Sequence, residues 1–194
     1  SDFDPNKNLV DYEELLELDK YALLKLNDLV KKCIHSYDNY DFHEAYQAIN
    51  VFCVTDMSSF YLDIIKDRLY STLADSKERK AAQTTMYLIL NTLVKLLAPM
   101  TAFTAEEIWK YMPHRADADA ECVLFNEMPA PVEISLDADF IANWDKSHEL
   151  RDTVKKQLEV AIKDKMIKAS LEASVTLKAS GAEYEFIKSV ENEL

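Results

Sequence analysis

Glycine is almost absent from this chain. One of its 194 residues is a glycine, Gly181, whereas ordinary usage predicts about 13. Because only glycine adopts positive φ freely, the glycine-rich loops that hold phosphates and the sharp turn beneath a hydrolase serine cannot be built here. Sheet sandwiches need many tight turns and are disfavoured for the same reason. The composition therefore predicts helices joined by short connections.

Long apolar runs and paired cysteines are also missing. No apolar run approaches the roughly 20 residues of a membrane span, and the chain opens on polar and acidic residues instead of a secretory leader. The three cysteines, Cys33, Cys53 and Cys122, form no C-x-x-C pair. Cysteine and histidine nowhere have metal-ligand spacing, so we predict no metal site. These absences predict reduced thiols in a cytoplasmic protein.

Basic residues are scarce and unevenly placed. The chain has 22 Lys and Arg against 35 Asp and Glu, a net charge of −13. A uniformly acidic surface would repel nucleic acid. Residues 66–95, however, carry six basic and three acidic side chains, residues 146–168 carry seven and four, and residues 117–145 carry eight acids and no base. The two basic stretches are either ordinary solvated helix faces or surfaces that meet phosphates.

Apolar residues recur every three or four positions along most of the chain, as in amphipathic helices. This spacing predicts helices over 19–39, 41–71, 76–98, 104–112 and 140–165. Four of the starts have good N-cap residues, namely Asp19, Asp41, Ser76 and Thr104. A polar run from Thr55 to Ser59 predicts a loosened second helix. Residues 114–139 are predicted to wrap the bundle as an acidic connection that holds on with Val123, Leu124 and Phe125.

The last part of the sequence changes its pattern. Residues 171–177 alternate apolar and polar side chains and predict a strand, after which Gly181 turns the chain into a helix over 183–193. A lone strand cannot satisfy its backbone. Either it pairs with another chain or the sequence is a piece of a longer protein, and we favour the second interpretation. The predicted domains are 1–139, a helical bundle with its connector, and 140–194, a long helix with a truncated α+β segment.

Catalytic constellations are poor. The four histidines lie far apart in sequence, and Lys66 and Arg68 interleave with Asp63 and Asp67, which is typical of a solvated ion-pair face. Two alternatives remain open at this stage. One is a helical protein-interaction module that recruits its partner through the acidic connector and an exposed strand. The other is a small enzyme that uses Asp63, Asp67 and His43.

Aromatic residues near the basic stretches offer a further possibility. At helical spacing such residues more often belong to a core, but on a surface they stack on unpaired bases. The candidates for stacking are Tyr61, Tyr70, Tyr87, Trp109 and Tyr111.

Several stretches match a pattern known from one enzyme family. They are Leu18-Asp-Lys-Tyr-Ala-Leu23, Tyr40-Asp-Phe-His-Glu-Ala-Tyr46, Phe60-Tyr-Leu-Asp-Ile-Ile-Lys-Asp-Arg-Leu-Tyr70, Arg79-Lys-Ala-Ala-Gln-Thr84, Leu96-Leu-Ala-Pro99, Phe103-Thr-Ala-Glu-Glu-Ile-Trp109 and Cys122-Val-Leu-Phe-Asn-Glu-Met-Pro129. With them the chain resembles isoleucyl-tRNA synthetases over nearly its whole length. The stretches at 96–99 and 103–109 are shared with valyl and leucyl relatives, whereas the stretch at 60–70 points to the isoleucine member of bacterial type.

The resemblance implies the fold and the partners. It implies a mainly α antiparallel bundle, the anticodon-binding domain of a class Ia synthetase, with a small partial α+β appendage from the start of the C-terminal junction region. The family's two ATP-site signatures are absent here, so we expect no catalytic residue. ATP, Mg²⁺ and Zn²⁺ are expected to bind the parent enzyme outside this segment. The implied partners are the tRNA for isoleucine and the rest of the synthetase chain, with no membrane, in a cytoplasmic monomer.

Charge then selects candidate RNA-binding side chains within the two basic stretches. The predicted contacts to tRNA phosphates are Lys66, Arg68, Arg79 and Lys80 from the first stretch and Arg151, Lys155 and Lys156 from the second. One departure from the resemblance lies nearby, because Lys168 stands where the family usually has a glycine. The local backbone is therefore expected to differ there.

Overall fold

A computed structural model describes residues 2–131 and 136–190. The chain forms two compact units, Ser1–Ile134 and Ser135–Leu194. The first contains α1 (Glu17–Asp38), α2 (Phe42–Val51), a π-helix (Phe52–Tyr61), α3 (Leu62–Ile64), α4 (Lys66–Tyr70), α5 (Lys77–Leu97) and α6 (Ala102–Tyr111). The second contains α7 (Ala138–Lys163) and α8 (Ala182–Val190). Single 3₁₀ turns lie at Tyr12–Glu14, Val123–Phe125 and Ser170–Glu172.

Helix α1 begins earlier than predicted, and Asp19 is not its cap. The N-cap is Leu16, which makes no side-chain capping bond. Asp19 lies inside the first turn and is fully buried. A carboxylate there also suits the positive end of the helix dipole. The prediction of Asp19 as a cap was wrong because its side chain is engaged by distant residues instead.

Two of those residues bind the Asp19 carboxylate from the other side of the bundle. The Tyr61 hydroxyl donates to Oδ1 at 2.7 Å, and Arg68 Nη1 donates to Oδ1 and Oδ2 at 3.1 and 3.0 Å. Burial raises the pKa of the Asp19 carboxyl, while Arg68 and Tyr61 act in the opposite direction. The pKa of Tyr61 also lies well above its usual value because of burial. This cluster, here the Asp19 network, joins α1 to the π-helix and α4.

The loosened stretch predicted at 55–59 is confirmed as part of the π-helix. The wider winding leaves carbonyls for side chains to take up, and the Ser59 hydroxyl donates to the carbonyls of Val54 and Thr55 at 2.7 and 3.2 Å. The segment directs Phe60 inward, where it contacts Tyr21 of α1 with ring centroids 6.1 Å apart. The π-helix therefore sets which side chains face α1.

The predicted caps of two helices are confirmed and a third is wrong. Asp41 and Ser76 accept hydrogen bonds from the third residue beyond, at 3.3 and 3.2 Å. Helix α6, however, begins at Ala102, with Thr101 as its N-cap, so Thr104 lies within the helix. The reason is local: after Pro99 the amides of Met100 and Thr101 both bond back to Leu97, and the next helix starts at once.

The core of the first unit extends from α5 to the connector. Phe3 packs on Tyr87 with ring centroids 5.6 Å apart, and Trp109 Nε1 donates to the Asp119 carbonyl at 3.1 Å. Val123 is buried in the same cluster, whereas Leu124 and Phe125 are 61% and 66% exposed. The connector therefore packs on the bundle as predicted, but of the three expected side chains only Val123 is buried there.

The second unit contains no strand within the described residues. The predicted strand over 171–177 is wrong: residues 170–172 form a 3₁₀ turn, and the backbone beyond is irregular up to Gly181. Alternation of side chains produces a strand only where a partner edge accepts its hydrogen bonds. The mainly α class is confirmed, and the β part of the appendage is not observed in the described chain. Gly181 takes a φ of +62° and makes the predicted turn.

Positive φ at residues other than glycine falls at Tyr40 and Lys165. Lys165 lies just after α7, three residues before Lys168. That the backbone at Lys168 differs from that of the family stays a prediction. Tyr40 ends the α1–α2 turn at φ +59° with 83% of its side chain exposed. The backbone of this tyrosine is therefore strained, and burial of the side chain does not offset the strain.

The Asp19 network predicts that removing the Asp19 carboxylate destabilises the first unit strongly, whereas replacing it with an amide destabilises it less. We expect Asp19→Ala to lower the free energy of unfolding of the first unit by about 3–5 kcal/mol, because it leaves the Arg68 charge poorly compensated. Asp19→Asn, which still accepts hydrogen bonds, loses less. The control is Asp75→Ala, since Asp75 is 96% exposed and pairs only at the surface with Lys80. Urea denaturation followed by circular dichroism measures all three, and an Asp19→Ala protein as stable as the control contradicts the assignment.

The positive φ of Tyr40 predicts that a glycine at this position increases stability. We expect Tyr40→Gly to raise the free energy of unfolding by roughly 0.5–1 kcal/mol, because glycine relieves a left-handed conformation that costs other residues about 1–2 kcal/mol. Tyr40→Ala removes the same side chain but keeps the strain, so it serves as the matched control. Equal stability of the two variants in thermal denaturation would show that the backbone here is unstrained.

Candidate nucleic-acid interface

The two predicted lysines of the first basic stretch pair with aspartates near the surface, the side chain of Lys66 being 62% exposed and that of Lys80 32% exposed. Lys66 Nζ lies 2.8 Å from Asp63 Oδ1, and Lys80 Nζ lies 3.2 Å from Asp75 Oδ1. Such pairs at a surface contribute little energy, since solvent competes with them. A phosphate can therefore replace these carboxylates, and both lysines remain candidates for RNA contact.

The two predicted arginines have internal partners that are harder to exchange. Arg68 belongs to the Asp19 network, with 14% of its side chain exposed. Arg79 donates from Nη1 to the Leu69 carbonyl and from Nη2 to Asp2 at 2.8 Å. Gln83 holds the other oxygen of Asp2 at 3.0 Å. Arg79 thus ties α5 to the end of α4 and to the start of the chain, and both arginines act first as structural links.

The predicted residues of the second basic stretch all lie on α7 in the second unit. Arg151 and Lys155 are one helical turn apart and half-buried, and Lys156 is exposed. Their spacing places the first two on one side of the helix. The contact of these residues with RNA stays a prediction.

The structure separates the candidate stacking residues into two groups. Tyr61, Tyr87 and Trp109 are buried, so the core role that their helical spacing favoured is confirmed for these three and they cannot stack on bases. Tyr70 and Tyr111 are 84% and 75% exposed and stay candidates. Spacing alone could not separate the groups, because both follow the helical repeat. Exposed aromatics that the sequence reasoning missed lie at the α1–α2 turn, on α2 and in the first turn of α6, and they are Tyr40, Phe42, Tyr46 and Phe103.

A polar groove of about 570 Å³ runs between α1 and α2. We call it the α1–α2 groove. Lysines, aspartates and carboxamides line it above a floor that includes Leu29 and Phe52. None of the residues predicted from charge belongs to it. The sequence carried little signal for this site, since its members are separated by a turn and fall outside both basic stretches.

A second groove, of about 740 Å³, is apolar. It lies between the π-helix and α5, and methionine and leucine side chains make up much of its lining. Its charged lining residue is Arg79, which already binds Asp2 and Leu69. The groove has no acid–base pair, so it offers no catalytic chemistry.

The features that a small enzyme would need are not assembled. Asp63 lies against Lys66, and His43 is exposed in the first turn of α2. In the part of the chain that the structure describes, no group of three or more histidine, cysteine, aspartate or glutamate side chains can hold a metal ion. No described helix is long and apolar enough to cross a membrane. Burial raises the pKa of the Cys33 thiol to about 11, which makes it unreactive at neutral pH.

Comparison with known proteins adds evidence of another kind. The family of the anticodon-binding domain of tRNA ligase matches residues 19–177. The chain is similar to the isoleucine–tRNA ligases of Caldanaerobacter subterraneus subsp. tengcongensis (49% identical over 191 residues, 98% of this chain and 20% of the relative) and Desulforamulus reducens (48% over 193 residues, 100% and 21%). It is similar also to that of Thermoanaerobacter sp. strain X514 (47% over 187 residues, 96% and 20%). The chain thus spans about a fifth of the length of these curated relatives.

The pairing of the basic residues predicts how each responds to substitution. We expect Lys66→Ala and Lys80→Ala each to reduce the salt dependence of binding to an RNA hairpin, lowering the slope of log K against log salt by about 1. Neither should change thermal stability much. Arg68→Ala should instead lower the melting temperature strongly, since it leaves Asp19 buried without its charge partner. Fluorescence anisotropy at several salt concentrations and thermal denaturation test this, and unchanged slopes for both lysine variants refute their assignment.

Proposed function

Since the chain belongs to the anticodon-binding domain family of tRNA ligases, we propose that it holds the anticodon stem–loop of an isoleucine tRNA within a bacterial isoleucine–tRNA ligase. The observation that carries the proposal is the family match over 159 of the 194 residues (19 through 177). Isoleucine–tRNA ligases that align with nearly the whole chain support it. The helical bundle agrees with it.

In this proposal the chain contributes position and not chemistry. The parent ligase activates isoleucine with ATP and transfers it to the tRNA. Holding the far end of the tRNA fixes the acceptor end in a distant catalytic site, and such orientation lowers the entropic part of the barrier. Basic side chains on α4, α5 and α7 bind the stem phosphates, and bases splayed from the loop are read by hydrogen bonds and aromatic surfaces.

Cofactors are assigned to other parts of the ligase. We place the sites for ATP, Mg²⁺ and Zn²⁺ outside this segment, because its sequence lacks both a phosphate-cradling glycine loop and metal-spaced cysteines or histidines. The proposed partners are the tRNA and the remaining parts of the ligase chain. We further propose that the ligase acts as a cytoplasmic monomer.

The alternative of a helical protein-interaction module is less well supported. It depended on the acidic connector and on an exposed strand at 171–177. The structure describes no strand there, and the family match concerns anticodon binding. In this proposal the acidic connector faces away from the RNA.

The charge balance predicts weak and salt-sensitive RNA binding by this chain alone. With a net charge of −13, we expect dissociation constants of about 1–100 µM for the cognate anticodon stem–loop at physiological salt, the range of charge-driven binding. At about 50 mM salt the affinity should rise at least tenfold. Fluorescence anisotropy measures both, and a hairpin with the same stem and an unrelated loop is the control. Nanomolar binding at physiological salt contradicts the expected weakness, and no binding at low salt contradicts the proposed function.

A further inference from the structure

The α1–α2 groove is lined by polar side chains from both helices. Lys25 and Lys32 line it from α1, and Gln47 and Asn50 line it from α2. Asp28 lies between the two lysines in the sequence and also faces the groove. The volume of about 570 Å³ is within the range of pockets that hold small organic groups.

Three of these side chains are uncommitted. In the part of the chain that the structure describes, Lys32 makes no ion pair, and the carboxamides of Gln47 and Asn50 make no hydrogen bond. All three are exposed. The basic residues Lys66, Arg68, Arg79 and Lys80 contrast with them, since each already pairs with a carboxylate, although among these four carboxylates only that of Asp19 is fully buried. The groove therefore offers donors and acceptors that need not leave another partner before they bind.

The groups in the groove match the edge of a nucleobase. A carboxamide presents a donor and an acceptor side by side, and in this way asparagine and glutamine pair with a base edge in two hydrogen bonds. The Asp28 carboxylate, 3.6 Å from Lys31, is placed to accept from an exocyclic amino group. Lysine ammonium groups suit the phosphates on either side of that base.

An exposed aromatic residue lies on the same helix. Tyr46 is 57% exposed and precedes Asn50 by four residues, so both side chains project from one side of α2. Tyrosine faces of this kind stack on unpaired bases. Hydrogen-bonding and stacking groups thus occur together on one helix.

The two helices that frame the groove are held rigidly. Ala45 and Ile49 are buried on the inner face of α2, and the Cys33 thiol of α1 points at the Ala45 carbonyl at 3.9 Å. The floor residue Phe52 is 3% exposed. Base reading needs a fixed spacing between donors and acceptors, and helices packed in this way provide it.

We propose that the α1–α2 groove reads an unpaired base of the bound RNA loop, with Gln47 and Asn50 on the base edge, Lys25 and Lys32 on the adjacent phosphates and Tyr46 as the stacking surface. The inference rests on the proposed function. It adds a base-reading site that is separate from the phosphate-binding lysines of α4 and α5. Single-stranded RNA fits better than a peptide, because the groove combines two amide groups with ammonium groups, and the exposed ring of Tyr46 lies on the same helix, outside the lining of the groove.

The test is the combined variant Gln47→Ala and Asn50→Ala in this 194-residue chain. Binding of the cognate stem–loop and of stem–loops with one changed loop base is measured at about 50 mM salt by fluorescence anisotropy. We expect the variant to lose at least about tenfold in discrimination between these loops, with an unchanged salt slope and an unchanged circular dichroism spectrum. The matched control is Asn143→Ala with Gln157→Ala, which removes the same groups from exposed positions on α7.

A lysine variant separates base reading from charge attraction. Lys32→Ala should weaken binding to every loop equally and reduce the salt slope by about 1. If Gln47→Ala with Asn50→Ala leaves discrimination intact, or if it weakens all loops equally, the groove does not read bases, although the proposed function stands. The same conclusion follows if the unaltered chain binds RNA without discriminating between loops. Failure of the unaltered chain to bind RNA at low salt overturns the proposed function itself.

Discussion

The first unit depends on one buried ion pair. The Asp19 carboxylate has no exposed surface and is held by Arg68 from α4 and by Tyr61 from the end of the π-helix. An unpaired charge at this depth is costly, so the segments that bring these side chains together can occupy few other positions. The π-helix between α2 and α3 places Tyr61 at the pair and Phe52 in the floor of the α1–α2 groove.

The same pair explains why positive charge in the sequence is a poor guide to the RNA surface. Arg68 and Arg79 are bound to carboxylates and carbonyls within the fold, and only the surface pairs of Lys66 and Lys80 exchange easily. A chain with a net charge of −13 can present few unpaired cations. Side chains without an internal partner, such as Lys32, Gln47 and Asn50, are then better indicators of a binding surface than local charge.

Much of the fold was predictable, and two of the errors share one cause. The helical class, the stop at Pro99, the caps Asp41 and Ser76 and the loosened stretch near Thr55 depend on neighbours within a few residues, and the structure agrees with each. The cap assigned to Asp19 and the strand at 171–177 depend on partners far away or absent from the described chain. The candidate site was predicted less well, because Gln47 and Asn50 form a candidate binding site only together with the lysines of α1, which line the same groove.

The sequence by itself determined that the chain is mainly helical, that α5 stops before Pro99, and the family to which the chain belongs, because spacing, proline and motif are local properties of the chain. It did not determine every helix boundary, since the single helix predicted over 41–71 is divided into α2, the π-helix, α3 and α4. Only the tertiary structure decided which charges are paired, which aromatics are buried and which polar groups face a groove. The physical reason is distance along the chain. Asp19 and Arg68 are separated by 49 residues, and no periodicity records which of several cations will reach a given carboxylate once the helices pack.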